Sequence, residues 1–270
     1  MGILGLALPA SAADLGRPIT KAPAVAPVIP FSWTGCYIGA NIGWARAEHD
    51  LATFAAPFPA NNINEAARAA INGAGLFSLD QDGVTGGGQV GCNYQTGMFV
   101  FGAEGDINFS DTTADLDTGE VVVAGRVVRS IDHIRQDWFA TVRGRIGVAF
   151  DRVLIYGTGG LAISEVNVAK SFSWDFADGC PILGTLNNCH VGGVSDTRTG
   201  WVAGGGLEWA FAPNWSVKAE YLFADLGNVS YITTNRGALF IGADAQTAVH
   251  TVDTKFQTAR VGVNWKFTGP

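Results

Sequence analysis

Two glycine-rich motifs have the spacing in this sequence that most resembles a known chemical signature. Gly86-x-Gly88-x-x-Gly91 matches the dinucleotide-binding fingerprint, and the stretch 157–162 matches it with alanine in the last place. That fingerprint holds a pyrophosphate only where a strand precedes it and a helix follows it. Both motifs instead lie inside segments that alternate as strands do, where glycine relieves crowding against large side chains. We therefore expect neither motif to bind a nucleotide.

The histidines and cysteines are the next candidates for chemistry. The four histidines are His49, His133, His190 and His250. All fall in predicted loops or at strand ends, so we expect them to be exposed to solvent. A lipid hydrolase would need a Ser–His pair oriented by an acid, and no spacing selects such a triad. Cys180, Cys189 and His190 could bind a metal, but a closed site needs four ligands at recognised spacing. The sequence therefore predicts no enzyme, no metal and no cofactor.

The elements that position these residues are strands, and the last of them is the clearest. Over Gln257–Phe267 apolar and polar residues alternate, except that Gln257 begins the mainly apolar set. A period of two indicates a strand with one apolar and one polar face. About ten such residues can cross a bilayer when the strand is tilted. The aromatic pair Trp265 and Phe267 suits a membrane–water interface.

Seven earlier segments alternate in the same way, near 36–47, 84–95, 98–109, 137–150, 153–165, 199–211 and 215–226. Tight turns near 95–98, 150–152 and 211–214 join some of them. Long polar connections near 48–82, 110–135, 166–197 and 227–254 join the others. Short turns on one side and long loops on the other are typical of outer-membrane barrels. We predict an all-β fold: an eight-stranded antiparallel up-and-down transmembrane β-barrel with short periplasmic turns and four long extracellular loops.

Composition agrees with a membrane barrel. Only 15% of the residues are charged, and the sequence offers no apolar helix long enough to span a membrane. A membrane protein without spanning helices has to be a closed barrel, because lipid offers no partner to a free backbone edge. The net charge of −7 argues against a nucleic-acid partner, and most of the negative charge falls in the long connections.

Nine charged residues well inside the strands share the face opposite the apolar set, whereas Arg46, Glu165 and Asp225 break this parity at loop-side strand ends. The nine are Glu104, Asp106, Arg143, Arg145, Glu208, Lys218, Glu220, Arg260 and Lys266. In a barrel of eight strands that face is a lumen just wide enough for side chains to fill. Buried charges there have to pair, so we predict a lumenal ion-pair network. A soluble lipocalin-like barrel is the rival fold, and it would leave the nine charges exposed.

Aromatic residues cluster at both ends of the apolar faces, where membrane-interface girdles lie. The predicted interface residues are Trp44, Tyr94, Phe99, Trp138, Phe150, Trp201, Trp209, Phe211, Trp215, Tyr221, Trp265 and Phe267.

The N-terminal residues indicate export. Residues 1–12 read as a signal-peptide remnant ending in Ala-Ser-Ala, and 13–32 as a Pro-rich periplasmic linker. The barrel is predicted over 33–267, with 268–270 as a tail. Export permits disulfides. Cys36 and Cys92 fall at matching ends of adjacent strands, where Cβ atoms approach within bridging distance. We predict disulfides Cys36–Cys92 and Cys180–Cys189.

Several stretches carry a resemblance to a known family: Ser32–Gly39, Gly86–Gly91, Thr141–Gly147, Gly204–Glu208, Lys218–Leu222 and Arg260–Phe267. In their order and spacing the chain resembles the small OmpA-like, porin-family outer-membrane barrels abundant in alphaproteobacteria. The resemblance implies residence in the cell outer membrane, in contact with lipid and lipopolysaccharide, after insertion by the barrel-assembly machinery. It implies a structural role in envelope integrity, a narrow porin-like role, or both, with small solutes as possible cargo. The alternative is adhesion or ligand binding through the acidic loops, towards host or cell-surface ligands.

Overall fold

The computed structural model describes residues 31–55, 72, 76–123, 126–174, 189–235 and 247–267. They form nine strands: β1 (Gly35–Ala55), β2 (Leu76–Thr96), β3 (Phe99–Asp117), β4 (Val121–Val123), β5 (Arg126–Phe150), β6 (Val153–Trp174), β7 (Cys189–Ala212), β8 (Trp215–Asn235) and β9 (Thr247–Phe267). Within these ranges no helix is long and apolar enough to cross a membrane. The predicted signal-peptide remnant, almost all of the linker and the tail at 268–270 lie outside the described residues.

The strands close into a ring. Their order is β3-β2-β1-β9-β8-β7-β6-β5-β4, and β3 also pairs with β5. Every pairing is antiparallel, and β4 is only a three-residue strand that pairs with the start of β5. Eight long strands therefore form the barrel, which confirms the predicted fold. A closed ring leaves no long strand with a free edge.

Three tight turns mark one end of the barrel, which we call the turn end. They lie at 97–98, 151–152 and 213–214. Gly97 has φ +59° and Asp151 has φ +51°, the left-handed conformation that tight hairpins need. The opposite end, which we call the loop end, carries the longer connections.

The predicted extent of those long connections is wrong. The β1–β2 ladder runs from Gly35↔Asn93 to Ala52↔Leu76, and the β5–β6 ladder reaches Val128↔Trp174. Most of the predicted loop residues are therefore strand. The sequence pattern concealed this because the apolar residues change sides: towards the loop end the outward face becomes polar, and apolar residues such as Leu51 and Val252 point inward.

An apolar belt surrounds the part of the barrel next to the turn end. In β1 its outward residues are Ile38, Ile42 and Trp44, all about half exposed or more, whereas the next outward residues are Arg46 and Glu48. The same change occurs in β2 between Val84 and Asp82. We call the part of the barrel within the belt the belt section and the part beyond it the loop-end section. About ten residues per strand lie in the belt, the length that crosses a bilayer.

The predicted interface aromatics lie on the outer surface of this belt. Eleven of the twelve are exposed, and Trp138 is half-buried. Trp138 donates a hydrogen bond from Nε1 to Glu165, and the Tyr221 hydroxyl donates to Gln257. Both contacts lie where the belt meets the loop-end section.

The glycine motifs of β2 and β6 are parts of strands. Within the first motif, Gly87 faces inward, and a Cβ there would overlap the carbonyl oxygen of Ile107 on β3. Gly91 lies beneath the Tyr37 ring and could not carry a Cβ without displacing it. Crowding inside a narrow barrel therefore accounts for these two inward glycines, and the chain continues from β2 directly into β3.

Candidate functional site

A cluster of charged side chains fills the lumen of the belt section. Arg143 lies at its centre, with 2.6 Å from Nη2 to Glu104, 2.8 Å to Asp106 and 3.0 Å from Nη1 to Glu220. None of these side chains is more than 3% exposed. A guanidinium with several donors in a fixed plane suits three carboxylates better than an ammonium group would.

Other bases complete the pairing of the acids. Lys218 Nζ lies 2.7 Å from Glu104. Arg260 lies 3.1 Å from Asp106 and 2.6 Å from Glu220. Arg145 binds Glu208 at 2.8 Å at the turn-end side of the cluster. The structure thus brings together eight of the nine predicted residues as four acids and four bases, all buried.

Strand register places these side chains opposite each other. Glu104↔Arg143, Glu220↔Arg260 and Glu208↔Lys218 are direct cross-strand partners. Because side chains alternate along a strand, the sequence Glu-x-Asp on β3 and Arg-x-Arg on β5 directs four charges to one face. Pairs on opposite walls then meet across the narrow lumen.

Lys266 is the predicted member that the structure does not bring into the cluster. It lies half-buried at the turn end, where its Nζ donates to the carbonyl oxygen of Ser32 and lies 4.5 Å from the centre of the Phe31 ring. Residue parity correctly assigned the face on which Lys266 lies. Its position one residue from the end of β9 places it beside Phe31 and Ser32, the residues that precede β1.

Sequence reasoning missed several neutral members of the cluster. The Tyr37 hydroxyl donates to Glu104 at 2.6 Å and accepts from Arg145 at 2.8 Å. The Tyr156 hydroxyl donates to Glu220 at 3.0 Å. The signal that could have found both tyrosines is their parity, because each occupies a lumen-facing position of its strand.

Apolar layers close the lumen on both sides of the charges. On the loop-end side, the rings of Phe139 and Phe256 lie 4.5 Å apart, packed with Val202, Leu222 and Leu226. The cavity among these residues is about 10 Å³, about the space of one water molecule.

On the turn-end side, Trp33 is buried against Val100 and Leu154. It is held by two hydrogen bonds, from its Nε1 to the Asp151 carbonyl and from its backbone N–H to Gln95 Oε1. The residues just before β1 therefore fold back into the mouth of the barrel, and the adjoining cavity is about 20 Å³.

The loop-end section has a different interior, and the prediction of exposed histidines is wrong for two of the four. His49 and His250 are buried at 0% and 2% exposure, facing the lumen with Leu51 and Val252. They were assigned to loops because the strands were predicted too short. His133 is exposed on the outer wall, 2.6 Å from Asp115, and the side chain of His190 lies outside what the structure describes.

One buried ion pair lies in this section. Lys170 Nζ is 2.9 Å from Asp132, and Ser130 donates to the same carboxylate at 2.8 Å. On the outer wall Arg129 donates two hydrogen bonds to Asp117, at 2.9 and 2.6 Å. These bonds, with one from the Gly119 N–H, lower the pKa of Asp117 to about 2.

A concave groove of about 580 Å³ lies on the outer wall of the loop-end section. Asp115, His133, Arg135, Asp137 and Asn167 line it. The β3–β5 and β5–β6 ladders both shift register beside it. Such bulges bend a wall and redirect side chains.

The disulfide Cys36–Cys92 is confirmed, and it joins two residues directly opposite each other on β1 and β2. The second predicted disulfide, Cys180–Cys189, lies outside the side chains that the structure describes. Across the described ranges, no three His, Cys, Asp or Glu residues form a group that could hold a metal ion.

A closed barrel with an apolar belt outside and buried charges inside defines an integral outer-membrane protein. The family model for the outer membrane protein beta-barrel domain matches residues 7–267, and the chain belongs to this family. The protein is therefore located in the cell outer membrane, as the sequence predicted.

Named relatives agree with this assignment. The 31 kDa outer-membrane immunogenic protein of Brucella melitensis biotype 1 is 34% identical over 260 residues, which cover 96% of this chain and 93% of the relative. The 25 kDa outer-membrane immunogenic protein of Brucella canis is 26% identical over 98% of this chain and 94% of its own. The 22 kDa outer membrane protein of Rhizobium leguminosarum bv. viciae is 28% identical over 69% of this chain and 76% of its own.

Proposed function

We propose that this protein is a closed, non-enzymatic barrel with a structural role in the outer membrane. It anchors in the envelope through the belt section and displays the loop-end section at the cell surface. The observation that supports this role is the filling of the lumen by successive layers around Trp33, Arg143 and Phe139.

The ion-pair layer opposes free passage of solutes. A solute crossing it would have to separate pairs such as Arg143–Asp106 and Arg260–Glu220, whose side chains are at most 1% exposed. Breaking a buried pair leaves an uncompensated charge, which costs about 3–5 kcal/mol. Open aqueous channels belong to barrels of about 16–18 strands. A narrow porin-like passage would therefore require a rearrangement of this layer.

Single-channel recording in a planar bilayer tests the proposal. We expect the refolded protein to be silent at neutral pH, with heat-dependent gel mobility demonstrating that the barrel is folded. Discrete current steps from the unaltered protein would contradict a closed barrel. If such steps changed on Arg143→Met or Glu220→Gln substitution, they would favour the narrow porin-like role.

A matched positive control is available within the chain. The double variant Trp33→Ala/Phe139→Ala removes one aromatic ring from each apolar layer and leaves the charges intact. A triple variant that adds Glu220→Gln also weakens the ion-pair layer. If this triple variant conducts while the unaltered protein is silent, the three layers around Trp33, Arg143 and Phe139 together close the lumen.

Ligand binding or adhesion at the loop end is the second candidate function, and the groove beside Arg135 and Asp137 favours it. Its volume falls in the range of small-molecule sites. The Brucella relatives are named immunogenic proteins, a description that suits surface display. Arg135→Ala/Asp137→Ala tests binding in the groove, and deletion of 175–188 and 236–246 tests adhesion by the connections. In either case surface binding would be lost while resistance of the envelope to detergent would remain, which would separate the roles.

The partners that suit a structural role are the lipids around the belt, lipopolysaccharide beside the polar residues of the loop-end section, and the assembly machinery that inserts the barrel. The belt supplies the lipid contact, and the net charge of −7 is unsuited to nucleic acid. Co-purification from native membranes with lipopolysaccharide, reduced by charge reversal at Arg46 or Lys255, would test the second partner.

A further inference from the structure

The seam between the first and last barrel strands carries a reciprocal pair of histidine–threonine contacts. On the lumen side, His49 of β1 lies opposite Thr254 of β9, and Thr53 of β1 lies opposite His250 of β9. Nδ1 of His49 is 3.2 Å from the Thr254 hydroxyl, and Nδ1 of His250 is 2.9 Å from the Thr53 hydroxyl. We call these four residues the His–Thr clasp.

The clasp lies in an apolar layer. Between its two contacts the rung Leu51↔Val252 is buried at 4% and 0% exposure, and both residues belong to a cluster with Val229 and Tyr231. The Tyr231 ring stacks on the His250 imidazole with centroids 5.0 Å apart. The Thr233 hydroxyl lies 2.8 Å from His250 Nε2. The hydrogen-bond partner of the His49 imidazole is therefore a neutral hydroxyl.

His49 has one nitrogen without a hydrogen-bond partner. Its Nε2 is buried and makes no hydrogen bond, and the ring is fully buried. Burial is the first cause that lowers its pKa, to about 4, while Asp50 on the outward side of the same strand acts weakly in the other direction. An imidazolium needs two acceptors for its two N–H groups, and this site supplies one hydroxyl.

The charged groups around the clasp do not compensate for a proton on His49. On the neighbouring strands, Asp80 of β2 and Asp253 and Lys255 of β9 belong to the outward-facing set. Among the described inward positions of this section, the Asp132 carboxylate is paired with Lys170 and acts on Tyr231. The Asp196 carboxylate of β7 is paired with Arg198 at 2.8 Å. By contrast, the exposed His133 has the Asp115 carboxylate 2.6 Å from its Nδ1.

We propose that the His–Thr clasp is an acid-sensitive closure that opens the loop end of the β1–β9 seam while the belt section stays closed. Protonation of His49 places a charge and an unsatisfied N–H in the apolar layer. The seam relieves both by separating β1 from β9, since this part of the ladder ends at Ala55↔Ala248, only six residues beyond His49. The belt section contains no histidine, so its pairing is unaffected by the same change of pH.

Hydrogen–deuterium exchange of the full protein in lipid nanodiscs at pH 7.5 and pH 5.0 tests the proposal. After correction for intrinsic exchange, we expect the opening equilibrium constant of peptides covering 47–55 and 247–256 to be roughly 30-fold larger at pH 5.0 than at pH 7.5. This factor follows by linkage from a His49 pKa of about 4 in the closed seam and 6.5 in the opened seam. Peptides covering 36–45 and 258–267 should not change. His49→Asn should abolish most of the increase, because an amide can still bond to Thr254 and does not titrate. The matched control His133→Asn should retain it.

Three results would overturn the proposal: equal protection of the seam at both pH values, loss of protection in the belt section to the same degree, or a full response in His49→Asn. If His49→Asn does not insert, His49→Gln provides the same comparison. The two tests on the unaltered protein do not depend on either variant.

Discussion

Within one continuous barrel, the belt section and the loop-end section differ in the charged residues that they bury and in the polarity of their outer faces. In the belt section the lumen holds four acids and four bases, and the outer face is apolar. In the loop-end section residues such as Leu51, Val166 and Val252 fill the lumen, while Arg46 and Asp80 pair on the outer face. The same strands carry both arrangements, so the difference comes from residue choice and from the medium outside.

This contrast shows that the medium outside each section determines which side chains face outward and which face the lumen. Where lipid lies outside, apolar side chains have to face outward, and the lumen receives the polar ones. Where water lies outside, hydrophobic burial favours an apolar interior, as in a soluble protein. Charges in the belt lumen therefore need a complete set of partners, whereas the described part of the loop-end lumen relies on the apolar cluster around Leu51 and Val252, with buried polar residues that include the pair Asp132–Lys170.

The largest expected effect comes from breaking the belt cluster. Arg143→Ala removes the base at the centre of Glu104, Asp106 and Glu220 and leaves four buried acids with three bases, so we expect the free energy of unfolding to fall by about 3–5 kcal/mol. Equilibrium urea unfolding in lipid vesicles, followed by heat-dependent gel mobility, measures the change. The control Arg129→Ala removes an exposed pair and should have a far smaller effect. Equal losses in the two variants would contradict the distinction between the sections.

A smaller effect is expected from the loop-end ion pair. Among the described residues, Lys170→Ala leaves the buried Asp132 carboxylate with the Ser130 hydroxyl as its hydrogen-bond donor, and we expect a loss of about 3 kcal/mol, the lower end of the range for a broken buried pair. Exchange should increase in the loop-end section and not in the belt section, as hydrogen–deuterium exchange would show. The double variant Lys170→Met/Asp132→Leu should recover much of the stability, since apolar replacement of a buried pair is often neutral or favourable. Failure to recover would assign the pair a specific structural role.

The sequence predicted the belt section well because two constraints act there together. Outward residues have to be apolar and inward charges have to share one parity, so the alternation in β3 and β5 placed Glu104 and Arg143 on one face without any structure. Cys36 and Cys92 could be paired because both lie at matching ends of neighbouring strands. Lys266 was misassigned because parity gives the face of a strand and not the position of a side chain along the lumen.

The loop-end section was predicted poorly for the opposite reason. Its strands have polar outer faces, so Glu48 and Asp50 suggested a loop, and His49 between them appeared to be exposed. The register that pairs His49 with Thr254 joins residues 205 positions apart, and no local pattern contains that information. The position of Trp33 in the mouth of the barrel was not predicted either, because its hydrogen-bond partners Asp151 and Gln95 are distant in the sequence.

The smallest expected effect concerns the exposed pair on the outer wall of the loop-end section. Hydrogen bonds from Arg129 hold the pKa of Asp117 at about 2, below its ordinary value of 3.8. A carboxyl whose pKa is lowered in the folded state stabilises it above the ordinary pKa, and this contribution is lost as the pH falls towards 2. We expect Asp117→Asn to reduce protection of the loop end of the β3–β5 ladder slightly at pH 6, and the difference from the unaltered protein to disappear between about pH 4 and pH 2. Hydrogen exchange at several pH values measures it. A difference that persisted at pH 2 would show that Asp117 acts through packing and not through its charge. The outer wall of the loop-end section would then depend on packed side chains, as its lumen does, and the contrast between an exposed wall and a buried interior would be weaker.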